Sequence, residues 1–202
     1  MTLPSSLRER NKLAVKAEIL TAAVGLMHET QRADMPVEEI CARAGVSRAT
    51  FFNYFPQKEL IFVALLERRS ETVRQTVEAK LAKGESMDVD AIIGLFQRFS
   101  KENEDLGPAG RTVFGEVLGK SLAAPIWAGL QRDGIASLKT AIEGMRKAKT
   151  RPGIVEANLL AECLFAIYLG TCVQWAAGPP RKPGWLPKEV GKRVRAVLES
   201  CL

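Results

Sequence analysis

Residues 37–54, VEEICARAGVSRATFFNY, constrain this chain more than any other stretch. Val37, Ile40, Cys41 and Ala44 recur at helical spacing and give a first helix one apolar face. Gly45 follows at once, and glycine adopts the left-handed conformation that ends a helix at no steric cost. Ser47 then suits the N-cap of a second helix, because its hydroxyl accepts a bond from a free amide of the next turn. Helix, glycine turn and second helix are the outline of a helix-turn-helix.

At about 100° per residue, the second helix separates into faces. Phe51 and Phe55 fall on one side and are expected to pack against the first helix. Ala49, Thr50 and Asn53 fall opposite, flanked by Arg48, Phe52 and Tyr54. That outward face is small, polar and shallow, with a cation and a phenol at its edges. It suits the major groove of double-stranded DNA: small residues permit close approach, amide and hydroxyl groups meet base edges, and Arg and Tyr reach guanine or phosphate. On angles alone, the same pattern also suits the solvated face of an ordinary helix.

The continuous stretch GVSRATFFNYFPQKELIF is more specific. It resembles the DNA-binding signature of the tetracycline-repressor (TetR/AcrR) family of bacterial transcriptional regulators, over roughly residues 7–66. The resemblance implies a fold of about nine helices, all-α: a three-helix DNA-binding domain (residues 1–56), a connecting helix four (57–81), and a ligand-binding and dimerisation domain (57–202). It implies DNA contacts at Arg48, Ala49, Thr50, Phe52, Asn53 and Tyr54, and a backbone contact at Lys58. Lys58 is expected to open helix four, a helix end that disfavours a cation but attracts a phosphate. Two positions depart from the family pattern. Met35 and Pro36 stand where the family often has Thr; Pro36 fits a first helical position but offers no hydroxyl. Phe52 stands where Tyr is frequent and lacks the phenolic hydroxyl.

Composition agrees with a folded DNA partner. With 202 residues, 47% of them hydrophobic, the chain can bury a core. Its net charge of +6 favours an anionic partner. Arg8, Arg10, Lys12 and Lys16 lie beside the reading head and are placed to meet phosphates. A second basic group, Arg181 to Arg195, reads as a solvated helix face. The first thirty residues lack the basic tip and apolar run of a signal peptide. The most apolar stretch, 159–177, contains Glu162 and Gln174 and falls short of a membrane span. These features predict a cytoplasmic protein without membrane attachment.

Cys41, Cys163, Cys172 and Cys201 show no metal-ligand spacing and read as small apolar residues, with a redox role at Cys163 or Cys172 as the alternative. His28 is the sole histidine, near the end of the first helix. No metal, no cofactor and no enzymatic constellation is expected.

Further along, the periodicity predicts helices throughout. The first helix (7–29) carries a stripe of Leu13, Ala17, Leu20, Val24 and Met27. Helix five carries Val89, Ile92, Ile93, Phe96 and Phe99, and residues 102–110 read as a Gly/Pro loop. Helix eight (154–177) is apolar nearly all round and must be buried on more than one side. Phe96, Phe99, Phe114, Trp127, Phe165, Tyr168 and Trp175 are candidates to line an apolar cavity, or are plain core. Ala166, Gly170, Val173 and Ala177, a stripe of small residues, with Val190, Val194 and Val197 of the last helix, are candidates for a homodimer bundle or for the monomer's own core. The family resemblance implies the dimer. It also implies a repressor that binds a palindromic operator and is released by a small hydrophobic or amphipathic effector. The alternative is a constitutive or architectural DNA-binding protein without an effector.

Overall fold

The computed structural model describes residues 6–119, 124–149 and 153–201, and the side chains of all of these except 116–119, 124–131 and 149. Among the described residues there are nine α-helices and no strand. They are α1 (Leu7–Thr30), α2 (Val37–Ala44), α3 (Arg48–Tyr54), α4 (Leu60–Ala82), α5 (Val89–Asp105), α6 (Gly107–Gly119), α7 (Ala124–Lys149), α8 (Ala157–Ala177) and α9 (Trp185–Ser200).

Two apolar cores form. One gathers Ile19, Leu20, Ala23 and Met27 of α1, Ile40 and Cys41 of α2, Phe51 and Phe55, and Ile61, Phe62 and Ala64 of α4. Leu106 and Ala109, from the α5–α6 junction, also reach it. The other core gathers Val77 of α4 with the inner faces of α5, α7, α8 and α9. Helix α4 therefore contributes its first two turns to one core and its later turns to the other.

The first helix is longer than its core. Leu13 is 59% exposed and Ala17 is exposed, so the buried stripe begins at Ile19 rather than at Leu13. Lys58 lies in a turn before α4, not on its first residue; bonds from Leu60 N to Gln57 O (3.1 Å) and Ile61 N to Lys58 O (3.0 Å) wind this entry tightly. Pro36 stands at the N-cap of α2, one residue earlier than expected.

The expected loop at 102–110 is helix. Leu106 alone separates α5 from α6, and Gly107 takes φ +55° there. Pro108 sits in the first turn of α6, where a missing N–H leaves no bond unmade. This continuity buries Asn103 and frees Glu104 for a structural task. The Glu104 carboxylate accepts bonds from Gly184 N (2.6 Å) and Leu186 N (3.0 Å), satisfying amides at the start of α9, whose own N-cap glycine offers no side chain.

Helix α8 is, among the described residues, the one helix long and apolar enough by composition to cross a membrane. Its packing accounts for one face: Leu160, Ala161, Leu164, Cys172 and Trp175 are buried. The opposite face is open, with Leu159 50% and Val173 40% exposed and Ala166, Gly170 and Ala177 beside them. Helix α9 takes the second of the two alternatives, the monomer's own core. Val190 and Val194 are fully buried against the chain's own core, where α9 packs along α5, and so neither is on a free face; Val197 is half-buried against the same core. Replacing Glu104 with Ala should cost about 0.5–2 kcal/mol, the scale of a lost helix cap, in a urea unfolding curve at fixed protein concentration.

Candidate nucleic-acid interface and the cavity above it

The turn between α2 and α3 is closed by backbone geometry. Gly45 takes φ +65°, Val46 N donates to Cys41 O (3.1 Å), and Gly45 N donates to Ala42 O (3.4 Å). Ser47 Oγ then accepts from Thr50 N at 3.0 Å and lies 2.9 Å from the Thr50 hydroxyl. Helix α3 is held down by Phe51, fully buried, and by Phe55, with ring centroids 5.8 Å apart. Arg48, Ala49, Phe52 and Asn53 consequently face solvent together, with Thr50 and Tyr54 half-buried at their margin.

Two cations at this surface are held by carboxylates. The Arg48 guanidinium pairs with Glu38 of α2 and lies over the Phe52 ring, 5.8 Å from its centroid. Lys58 Nζ lies 2.5 Å from Asp34 Oδ1. The hydrogen bond from Lys58, and then its charge, holds the Asp34 carboxyl below the usual range. These are exposed pairs, each worth about 0–1 kcal/mol, so a phosphate or base edge can replace the carboxylate at small cost. Helix α2 is fixed to α1 by Arg43, which grips Glu29 through two bonds (2.5 and 2.7 Å). The guanidinium lies so close over Gly25 that a Cβ there would stand 2.8 Å from it.

Above the head, an apolar cavity of about 90 Å³ is bounded by α4, α5, α6, α7 and α8. Phe96, Phe99, Phe114, Phe165 and Tyr168 line it, as the sequence suggested. Trp175 does not: its ring is buried in the core and faces the Arg111 guanidinium at 5.4 Å. Arg111 also donates to the carbonyls of Trp175 (2.6 Å), Gly178 and Pro179 (3.1 Å each), capping the end of α8. The Trp127 side chain lies outside the described residues.

Sequence reasoning missed the α4 wall, formed by Leu66, Arg69, Ser70 and Val73. It also missed a buried polar chain at one end. Arg69 donates to the side-chain amide oxygen Oδ1 of Asn103 and lies 3.3 Å from Glu102. Asn103 Nδ2 donates to the Tyr168 hydroxyl (3.1 Å), with Cys172 Sγ at 3.9 Å. Burial pushes the Tyr168 phenol well above its ordinary range and the Cys172 thiol up to about 12. Arg69 sits in a charged run and Asn103 in an expected loop, so only the fold brings them together.

Residues 19–65 match the model of bacterial regulatory proteins of the tetR family. The HTH-type transcriptional regulator EthR of Mycobacterium tuberculosis is 30% identical over 153 residues, covering 72% of this chain and 68% of that protein. The chain belongs to the TetR family. A second member, the HTH-type transcriptional repressor NemR of Escherichia coli, is 28% identical over 69% of this chain and 73% of its own length. The TetR fold also extends through the second half: Thermus thermophilus FadR, solved in complex with lauroyl-CoA, superposes with a TM-score of 0.66 and 23% identity over 93% of this chain and 95% of that one. The chain is thus a TetR-family, DNA-binding transcriptional regulator with a helix-turn-helix.

The buried thiol fixes one pH dependence of this regulator. Cys172 titrates near 9.0 when unfolded and near 12 when folded, so its contribution to stability is complete below pH 9 and is lost as pH rises toward 12. Tyr168 is present in both proteins, so the ionisation of its phenol in the unfolded chain is common to them, and between pH 9 and 10 the unfolding free energy should fall by up to about 1.4 kcal/mol per pH unit more in the wild type than in Cys172→Ala. Paired denaturant titrations across that interval measure the difference.

Proposed function

We propose that this regulator is a dimeric repressor that inserts α3 of each subunit into the major groove of one half of a palindromic operator. A single exposed face that assembles Arg48, Ala49, Phe52 and Asn53 beside Thr50 and Tyr54 carries this reading. Arg48 and Asn53 reach base edges, Ala49 permits close approach, Thr50, Phe52 and Tyr54 pack along the backbone, and Lys58 meets a phosphate. Glu38 and Asp34 hold Arg48 and Lys58 in the extended positions that DNA then takes over. Residues 1–56 form the reading head and 57–202 the regulatory part, joined by α4.

Dimerisation is supported by the open apolar face of α8, where Leu159, Ala166, Gly170, Val173 and Ala177 lie uncovered. A copy of the same face would cover it by two-fold symmetry, which also doubles the DNA site. The effector reading rests on the cavity. At about 90 Å³ it is smaller than the roughly 300–1,000 Å³ of ligand sites in general, so an apolar effector must part its walls. Leu66, Arg69, Ser70 and Val73 belong to the same helix that anchors Ile61 and Phe62 in the head. Displacing them re-aims the head, and a linkage of about 1–3 kcal/mol is typical of such coupling. We place the regulator in the cytoplasm, where its DNA is, and assign it no catalytic role.

Selection of bound duplexes from random DNA at near-physiological salt tests the operator. A palindrome that Asn53→Ala/Tyr54→Ala fails to bind is expected; salt-sensitive binding with no consensus would replace the repressor with an architectural protein. Against the recovered site, Arg48→Ala should lose about 1–3 kcal/mol of affinity and relax base preference at one position. The phosphate pair gives opposite signs. Lys58→Ala should weaken binding to all sequences and reduce the salt slope by about 1, whereas Asp34→Asn, by freeing Lys58, should strengthen binding to all sequences. Equal affinity for the two variants in a salt series would remove Lys58 from the interface.

A further inference from the structure

A second hollow adjoins the apolar cavity. It is a cleft of about 460 Å³ between α1, α4 and α5. Arg69 and Phe99 line both spaces, so the two meet at these residues. The linings differ in character. The cavity is faced mainly by Leu, Phe and Val side chains, whereas the cleft, with Val24, Leu65 and Leu106 in its wall, also presents His28 of α1, Arg68 and Arg69 of α4, and Arg98 of α5. Its one carboxylate, Glu102, lies 3.3 Å from Arg69.

The cleft carries more cations than carboxylates. Arg43, Arg48, Arg74 and Arg195 each have a carboxylate partner. Among the described residues, Arg68 and Arg98 have no ion pair, and Arg98 rests only on the Phe99 ring at 5.0 Å. Three guanidiniums against one carboxylate, gathered from two helices around a concave space, focus a positive potential on it. Guanidinium forks bind carboxylate and phosphate oxygens with directed, charge-assisted bonds.

Resting on the effector reading above, we infer that the natural effector is an amphiphilic anion. Its apolar chain or ring enters the cavity past Phe99, and its carboxylate or phosphate head lies in the cleft on Arg68 and Arg98, within reach of Arg69 and His28. Such a ligand touches α1 of the reading head as well as α4 and α5, so its head group bears directly on the part that meets DNA. A neutral apolar compound would fill only the cavity.

Calorimetric titration of the full chain with 1-octanol, octanoate, octanoyl-coenzyme A and coenzyme A tests this. One or both octanoyl anions should bind the wild type at least about tenfold tighter than 1-octanol, the scale of one charge-assisted contact. Coenzyme A without the chain should bind more weakly than its octanoyl ester. In Arg68→Ala/Arg98→Ala, two exposed positions whose loss leaves the core untouched, the anions should lose that advantage while 1-octanol affinity stays within about twofold. Equal affinity for 1-octanol and the anions, or anion binding unchanged in the variant, overturns the anionic head but leaves the effector cavity standing. Coenzyme A binding as tightly as its ester overturns the joined site. Failure of every octyl probe to bind rejects both the cavity as an effector site and the inference built on it.

Discussion

Helix α4 belongs to two cores at once, and most of the molecule's behaviour depends on that sharing. Ile61, Phe62 and Ala64 are buried with the three helices of the head, and Val77 is buried with α5, α7 and α8. Between them lie Leu66, Arg69 and Val73, which face the cavity. Close-packed interiors do not deform continuously, so a change at the middle of this rod must be absorbed by shifting one packed unit against the other. The α5–α6 junction supplies a second link, since Leu106 and Ala109 lodge in the head core. The head is thus held at two places.

The reading surface shows how charge is stored before use. Arg48 and Lys58 are long, flexible side chains, and left free they would sample many rotamers. Glu38 and Asp34 restrict them through pairs that are weak in water. The fall in the Asp34 proton affinity reports the same contact from the acid's side. In the second half of the chain the balance is different. There the polar groups Asn103, Tyr168 and Cys172 are tied together away from water, where an unmade bond is costly.

How much of this the sequence revealed depended on where the signals were local. The head was readable because its punctuation is short-range: Gly45 with its positive φ, Ser47 on the Thr50 amide, and Phe51 and Phe55 one turn apart. Five of the aromatic residues proposed for the cavity do line it, because helical spacing correctly turned them inward. Spacing could not say which inward residues meet a void, and Trp175 meets packed core and Arg111. It also could not say whose interior a face enters. Val190 and Val194 face the chain's own α5 side, while the small residues of α8 remain uncovered. The Gly-Pro pair at 107–108 misled for a different reason: proline in a first helical turn and proline in a loop have the same sequence, and only the neighbouring packing separates them.

The contact between Arg43 and Gly25 ties two distant positions into one unit of inheritance. A side chain at 25 would displace the guanidinium from its seat over α1, and a shorter residue at 43 would release Glu29. Either change alone loosens the seat of α2, on which the angle of α3 depends. The two together, a small apolar side chain at 25 with a short residue at 43, would refill the same space with a different pairing. Among relatives that keep this arrangement of α1 and α2, the two positions should therefore drift as a pair, and a glycine in mid-helix would mark the arginine lying across it.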